Sequence, residues 1–358
     1  MSPALPPAAT FLPHLSRALD ALGFWEGPAV LAVSGGADSV ALLQGVVRLM
    51  SDRDVAPAVT VAHAHHDLRD GAARDAEFVA ALAATAGLPC RIGAVAVRAA
   101  AERGEGWEGI ARRLRYRFLL AVARACGAVS VVVAHTADDQ AETILHRIAR
   151  GTGLAGLAGM PARRRLGDGV DLIRPLLDMP GAMPRAFLGE RGMAWCEDES
   201  NADRRFSRNY LRHEVLPRLA AGPYPAASAA LVRLGRQAGA AAALLESAAR
   251  GLLEAHATKR DDGTVLIDAA ALAGCDLHLV AEVFAVLWRR EGWPRRHMGQ
   301  RHYARLADLI VAAGRGQARG AEDFPGGITA GAERRLPSAV AIGRRRTSPR
   351  HVADPTDR

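Results

Sequence analysis

Short apolar runs alternate with amphipathic stretches through the first half of the chain. Residues 29–33, 59–64, 92–97 and 129–134 are rich in Val, Ile, Leu and Ala and bounded by Gly, Pro or polar residues. Runs that short, apolar on both faces, predict buried parallel strands. Between them, residues 38–50, 72–86, 108–126 and 137–150 carry apolar positions at helical spacing with polar positions on the other side. A βαβα series predicts an α/β fold with a doubly wound, mostly parallel sheet, whose ligands bind beyond the carboxyl ends of the strands.

The pattern changes after Leu219. Ala-Ala-Gly-Pro-Tyr-Pro-Ala-Ala-Ser reads as a linker into a long Ala/Leu helix over 227–256, followed by helices over 277–290 and 303–313. Asp323-Phe-Pro-Gly-Gly, then Ile328 and residues 340–342, predict a terminal β-hairpin. The expected organisation is a first domain over 1–219, a smaller helical domain with that hairpin over 220–343, and a basic, disordered tail over 344–358. The length of 358 residues, set against roughly 150 per domain, agrees with two domains.

With 49% hydrophobic and 23% charged residues the chain has the composition of a folded globular protein. No apolar stretch reaches the roughly 20 residues a bilayer requires, and the amino terminus lacks a positively charged leader, so a cytoplasmic protein is expected. Cys90, Cys126, Cys196 and Cys275 are 36, 70 and 79 residues apart, which leaves no CxxC pair for zinc or an iron–sulfur cluster. Lys259 is the single lysine among 46 basic residues, which removes Walker A loops and nucleophilic-lysine chemistry. The net charge of +8 is uneven: residues 1–217 carry 25 basic and 24 acidic side chains, residues 218–358 carry 21 and 14. The second half is therefore the better polyanion surface, although a solvated basic face explains the same numbers.

The chemistry is concentrated at two strand ends. Ser34, Gly35, Gly36, Ala37, Asp38 and Ser39 stand between the first strand and the first helix of the series. A glycine pair there lets the backbone curl around an anion, and the free N–H groups of the new helix favour phosphate. Asp38 would repel phosphate unless a cation lay between, so it predicts Mg2+; the plain alternative is a helix cap. The second cluster is His135, Asp139 and Glu142, ending the fourth strand and opening a helix. Asp139 and Glu142 share one helical face. Such a group could bind magnesium, hold an ammonium or accept a proton, or it could simply complement the helix dipole.

The string Ser34-Gly35-Gly36-Ala37-Asp38-Ser39 resembles the pyrophosphate loop of the PP-loop ATP pyrophosphatases, which implies AMP-forming use of ATP. Several further segments resemble the tRNA(Ile)-lysidine synthase family: His66-Asp67-Leu68-Arg69, residues 111–118, residues 135–160 including Arg147 and Arg150-Gly151-Thr152-Gly153, residues 197–203, Arg208-Asn209 and residues 212–217. Together they cover most of residues 29–217 in the family's order. The resemblance implies a C–N ligase that adenylates C2 of the wobble cytidine in the CAU anticodon of tRNA(Ile). The ε-amine of free L-lysine then displaces AMP. On that model residues 34–39 bind ATP, Asp38 and Asp139 hold Mg2+, and His135, Asp139 and Glu142 receive lysine. Arg115 neutralises charge on the activated intermediate, and Arg208 and Arg212 face tRNA or phosphate. Thr136 stands where the family often has a second histidine and receives no role. A homodimer is consistent with this reading.

Two other readings compete. A tRNA thiolase would use the same loop but needs paired cysteines, and an ATP sensor would need no second acidic cluster. His63, His65 and His66 have no zinc-like spacing, and residues 163–165 read as a solvated arginine run.

Overall fold

The computed structural model describes residues 10–66, 72–95, 107–197, 207–317, 320–333 and 336–344. The motif residues 67–69 and 198–203 and the expected tail beyond Arg344 lie outside them. The chain folds as two compact units, Met1–Gln237 and Ala238–Arg358.

The first unit opens with α1 (Phe11–Ala21) and continues β1 (Ala29–Ala32), α2 (Ala37–Ser51), β2 (Val59–His66), α3 (Ala72–Thr85), β3 (Cys90–Val95), α4 (Trp107–Ala125), β4 (Ser130–Val132) and α5 (Ala137–Ala149). There follow α6 (Leu154–Leu157), β5 (Arg163–Gly167), β6 (Val170–Ile173) and α7 (Ala182–Gly189). A helical segment then runs through α8 (Ser207–Tyr210), a π-helical turn at Leu211–Val215 and α9 (Leu216–Ala221). The sheet order is β3-β2-β1-β4-β6-β5; every pairing is parallel except β5 with β6.

β1 shows why the strands read as unbroken apolar runs. Leu31 points into a core formed with Phe11, Leu15 and Leu43, while its neighbour Val30 packs on the opposite face with Leu119 and Ala123 of α4. Both strand faces are covered, so alternation is lost. From β1 the chain winds to β2 and β3 on one side, then returns to β4 on the other. That reversal opens a crevice between the carboxyl ends of β1 and β4, where Leu31 pairs in register with Val132.

Gly45 sets how closely α1 approaches α2. A Cβ there would stand 2.5 Å from Leu15 Cδ2 and 2.9 Å from Phe11 Cε1, both in the core. Gly45→Val is expected to destabilise the fold by about 2 kcal/mol, because packed cores do not absorb extra methyls freely. Urea unfolding of the variant would show it; an unchanged midpoint would contradict the packing.

The expected elements of this half are found, with strand and helix ends shifted by up to two residues. Residues 163–165, read as a solvated run, form the edge strand β5 with Arg163 and Arg165 exposed, and Arg163 donates to Asp171 Oδ2 at 2.8 Å. The Gly-rich segment 150–160 contains the turn α6.

α10 (Ala227–His256) crosses the division between units. Its first turns belong to unit one, where Val232 packs with Ala141 and Leu216. The second unit continues β7 (Ala257–Lys259), β8 (Val265–Asp268), α11 (Ala269–Leu272), α12 (Leu277–Arg290), α13 (Gln300–Gly314), β9 (Glu322–Phe324), β10 (Ile328–Glu333) and β11 (Leu336–Arg344). The hairpin is present as β10–β11, yet it is the middle of a five-stranded antiparallel sheet, β7-β8-β11-β10-β9. β7, β8 and β9 are three or four residues long, too short to show a period of two in sequence. Lys259 is held by Glu291 at 2.6 Å, a structural use of the single lysine.

Candidate active site

Residues 34–39 leave the carboxyl end of β1 and turn into α2. Gly35 adopts φ +93°, a left-handed conformation that other residues enter at a cost. Gly36 is the extended N-cap of α2, with no side-chain cap on the helix amides. Ser39 braces the loop: its Oγ accepts from the Ser34 amide at 3.1 Å and donates to the Gly36 carbonyl at 2.9 Å. The Cys196 amide donates to the Gly35 carbonyl at 2.9 Å and holds the loop from outside. The result is a preformed anion cradle with helix N–H groups and dipole directed into it.

Asp38 lies in the first turn of α2 and one of its carboxylate oxygens, Oδ1, is buried with no hydrogen-bond partner. Burial first, and the charge of Asp139 second, raise its pKa to about 6 against the opposing pull of Arg185 and Arg212. A buried lone oxygen facing a second carboxylate suits a divalent cation that would be shared with phosphate oxygens. Among the described residues no three acidic, His or Cys side chains form a metal-ligating group.

The second cluster starts where β4 ends. Thr136 is the N-cap of α5, and its amide donates to Asp139 Oδ2 at 2.8 Å. The other Asp139 oxygen accepts from Arg212 Nη2 at 2.8 Å, and Arg212 Nε donates to Glu142 Oε1 at 2.5 Å. Arg212 thus ties the two carboxylates together from the π-helical turn, an irregularity often found at functional sites. Glu142 is only 6% exposed; burial pushes its pKa up to about 7 although Arg212 pulls it down. Burial also raises Asp138, which accepts from the Gly181 amide at 3.2 Å.

His135 completes the rim. Arg174 Nε donates to its Nδ1 at 3.2 Å, and burial, reinforced by the charges of Arg174, Arg112 and Arg208, lowers its pKa to about 4 despite Asp139. Arg208 Nη2 reaches Thr143 Oγ1 at 3.4 Å. The Gly-rich segment is fastened to α5 from two sides. Arg147 donates to the carbonyls of Gly156 and Gly159 at 2.7 Å each, and the Gln140 amide exchanges hydrogen bonds with Met160 at 2.9 and 2.7 Å.

Asp38, Asp139, Glu142, Arg212 and His135 therefore act on one another around the crevice, with Arg208 bearing on His135 and Glu142. Arg115 is exposed on α4, and its charge bears on His63. Sequence reasoning missed Arg174, Arg112 and Arg185. Arg174 had a signal, being one cation in the otherwise apolar run Leu172-Ile173-Arg174-Pro175-Leu176-Leu177.

A glycine-turned β1–α2 loop shaped as an anion cradle at the switch point of this sheet, with an acidic cluster across the crevice, is the arrangement of an ATP-using PP-loop protein. The sequence profile of the PP-loop domain matches residues 14–219. The tRNA(Ile)-lysidine synthase of Salinispora arenicola is 37% identical over 330 residues, covering 92% of this chain and 95% of that one. That of Methylobacterium nodulans is 40% identical over 304 residues, covering 81% and 86%. A U34-tRNA thiolase from Methanococcus maripaludis, solved with its 4Fe–4S cluster, superposes with a TM-score of 0.51 at 12% identity, covering 63% of this chain and 78% of that one. At that identity the likeness shows the fold alone. The chain belongs to the tRNA(Ile)-lysidine synthase family, which makes it a C–N bond-forming ligase with ATP as co-substrate. No helix among the described residues is long and apolar enough to cross a membrane.

Proposed function

We propose that this enzyme converts the wobble cytidine of a CAU-anticodon tRNA(Ile) to lysidine, so that the tRNA reads AUA instead of AUG. In the first step the C2 carbonyl oxygen of cytidine attacks the α-phosphorus of ATP and pyrophosphate leaves. In the second the ε-amine of free L-lysine attacks C2, and AMP departs with the former carbonyl oxygen. The observation that carries this reading is the orphaned Oδ1 of Asp38, inside an anion cradle and facing the Asp139–Arg212–Glu142 cluster.

Ser34, Gly35, Gly36, Ala37, Asp38 and Ser39 grip the ATP phosphates through loop and helix amides. Asp38 is the principal holder of Mg2+, because both Asp139 oxygens already serve Thr136 and Arg212. When bound, the ion would neutralise charge building on the phosphates. Glu142 holds the lysine ammonium and takes its proton, and its displacement of Arg212 frees that guanidinium for a phosphate. Arg208 and Arg115 add positive charge for the activated nucleotide. The second half, with the basic excess of residues 218–358, supplies the tRNA surface. ATP, free lysine and tRNA meet in the cytoplasm.

The direct test incubates the purified protein with an unmodified tRNA(Ile) transcript, ATP, magnesium and lysine, then weighs the nucleosides. A cytidine heavier by lysine less water, absent when lysine is omitted, is expected. Unchanged cytidine would refute the reading. Transcript affinity should also fall steeply with salt, because each phosphate contact releases about 0.9 counterions on duplex and about 0.7 on single strands. A flat salt dependence would exclude the basic surface.

A further inference from the structure

Arg174 directly follows β6 and is 2% exposed. A guanidinium buried that deeply usually faces a carboxylate, since an unpaired internal charge is expensive. Among the described residues none of its hydrogen-bond partners is a carboxylate. Nη1 donates to the Pro161 carbonyl at 2.7 Å, Nε donates to His135 Nδ1 at 3.2 Å, and the Tyr116 hydroxyl is a further hydrogen-bond partner. Arg112 and Arg164 stand over the Tyr116 ring at 5.3 and 4.9 Å, which adds positive charge to the same corner. Stability alone does not account for a buried cation in such company.

We propose that Arg174 is a positioning residue that fixes His135 as the neutral imidazole with its proton on Nε2, so that His135 offers the active site a hydrogen-bond donor and not a base. The inference rests on the lysidine synthase reading for what the donor serves. The logic is one of hydrogen inventory: a guanidinium N–H can only donate, so Nδ1 must present its lone pair, and a neutral ring then carries its single proton on Nε2. Burial, and after it the surrounding arginines, keep a second proton off the ring. A donor at Nε2 selects an acceptor oxygen on the substrate, either the carboxylate of lysine or an oxygen of the activated nucleotide.

The test uses the full chain labelled with 15N-histidine, the His135 signals being assigned by their loss in His135→Asn. At neutral pH the expected spectrum has an unprotonated Nδ1 and a protonated Nε2. Arg174→Met should give mixed tautomers and lower kcat for lysidine formation about 10-fold or more, with KM for ATP little changed. Should Arg174 variants fail to fold, isosteres at His135 decide the matter. His135→Gln places an amide donor near the Nε2 position and should retain about 10-fold more activity than His135→Asn, which places its amide near Nδ1. Loss of ATP–pyrophosphate exchange in His135→Asn would put the acceptor oxygen on the nucleotide; a raised KM for lysine with normal exchange would put it on lysine. A proton on Nδ1, a doubly protonated ring, or equal activity of the Gln and Asn variants would overturn the proposal. Absence of lysidine in the wild type would instead defeat the functional reading and leave the tautomer result standing.

Discussion

Asp38→Asn is expected to abolish ATP–pyrophosphate exchange and, in the absence of magnesium, to raise thermal stability. Both effects have one origin. The carboxylate is buried with one oxygen unpartnered and faces Asp139, so the folded chain holds an unfavourable charge that only a bound cation relieves. Removing it forfeits the several kcal/mol that a metal contributes to a phosphoryl-transfer transition state, a loss of about 10³-fold or more. The stability sign follows from linkage. The folded-state pKa of about 6 lies above the ordinary value of 3.8, so the favourable contribution is complete below 3.8 and is lost as pH rises through about 6. At alkaline pH the wild type therefore carries a cost that the Asn variant lacks. The helix dipole offsets at most about 1 kcal/mol of it, and the buried amide keeps some desolvation cost, which leaves a gain of about 1–2 kcal/mol. For a unit of this size that is about 2–8 °C in Tm, measured by thermal unfolding without magnesium at pH 8, falling to about half at pH 5 and vanishing only below about pH 3.8. A variant equally or less stable than wild type at pH 8 would show that Asp38 is not strained, and the metal assignment would lose its basis.

The parts of this site that could be read from sequence are those carried by local geometry. The strand-to-helix turn at Gly35 and Gly36 needs only neighbouring residues, and the Asp139/Glu142 face follows from helical spacing. The core strands were legible because both faces of β1 are covered, so Val30 and Leu31 are equally apolar. What was not legible is long-range. Arg212 lies 73 residues from Asp139 and 70 from Glu142, and the resemblance alone assigns it to tRNA or phosphate; only the fold shows it engaged by the two carboxylates. β5 was hidden because three consecutive arginines mask its alternation, and Arg163 stays exposed while it pairs with Asp171. In the second unit, β7 follows α10 without a break and is as short as a frayed helix end.

Glu142→Gln is expected to separate the two chemical steps. Adenylation needs the phosphate loop and Asp38, so pyrophosphate exchange should persist; lysine transfer should fall by about 10²–10⁴-fold, the range for loss of a positioned general base. The wild-type transfer rate should rise with pH through about 7, because burial raises Glu142 to that value and only the carboxylate can hold an ammonium and then take its proton. Arg212 supplies the direction of a second shift. Its guanidinium lowers the pKa of Glu142, so Arg212→Gln should move the rising limb to higher pH. Among the described residues Arg212 donates to Oε1 at 2.5 Å, and Arg208 adds a weaker pull in the same direction. The measurement is lysidine formation in a single turnover at saturating ATP and limiting lysine, where the lysine-free site with Arg212 on Glu142 sets the profile, from pH 6 to 8.5 for wild type and both variants. A flat wild-type profile, or a limb in Arg212→Gln displaced to lower pH, would remove Glu142 from the proton path. The acceptor would then have to be sought at Asp139, the remaining carboxylate in reach of the same guanidinium.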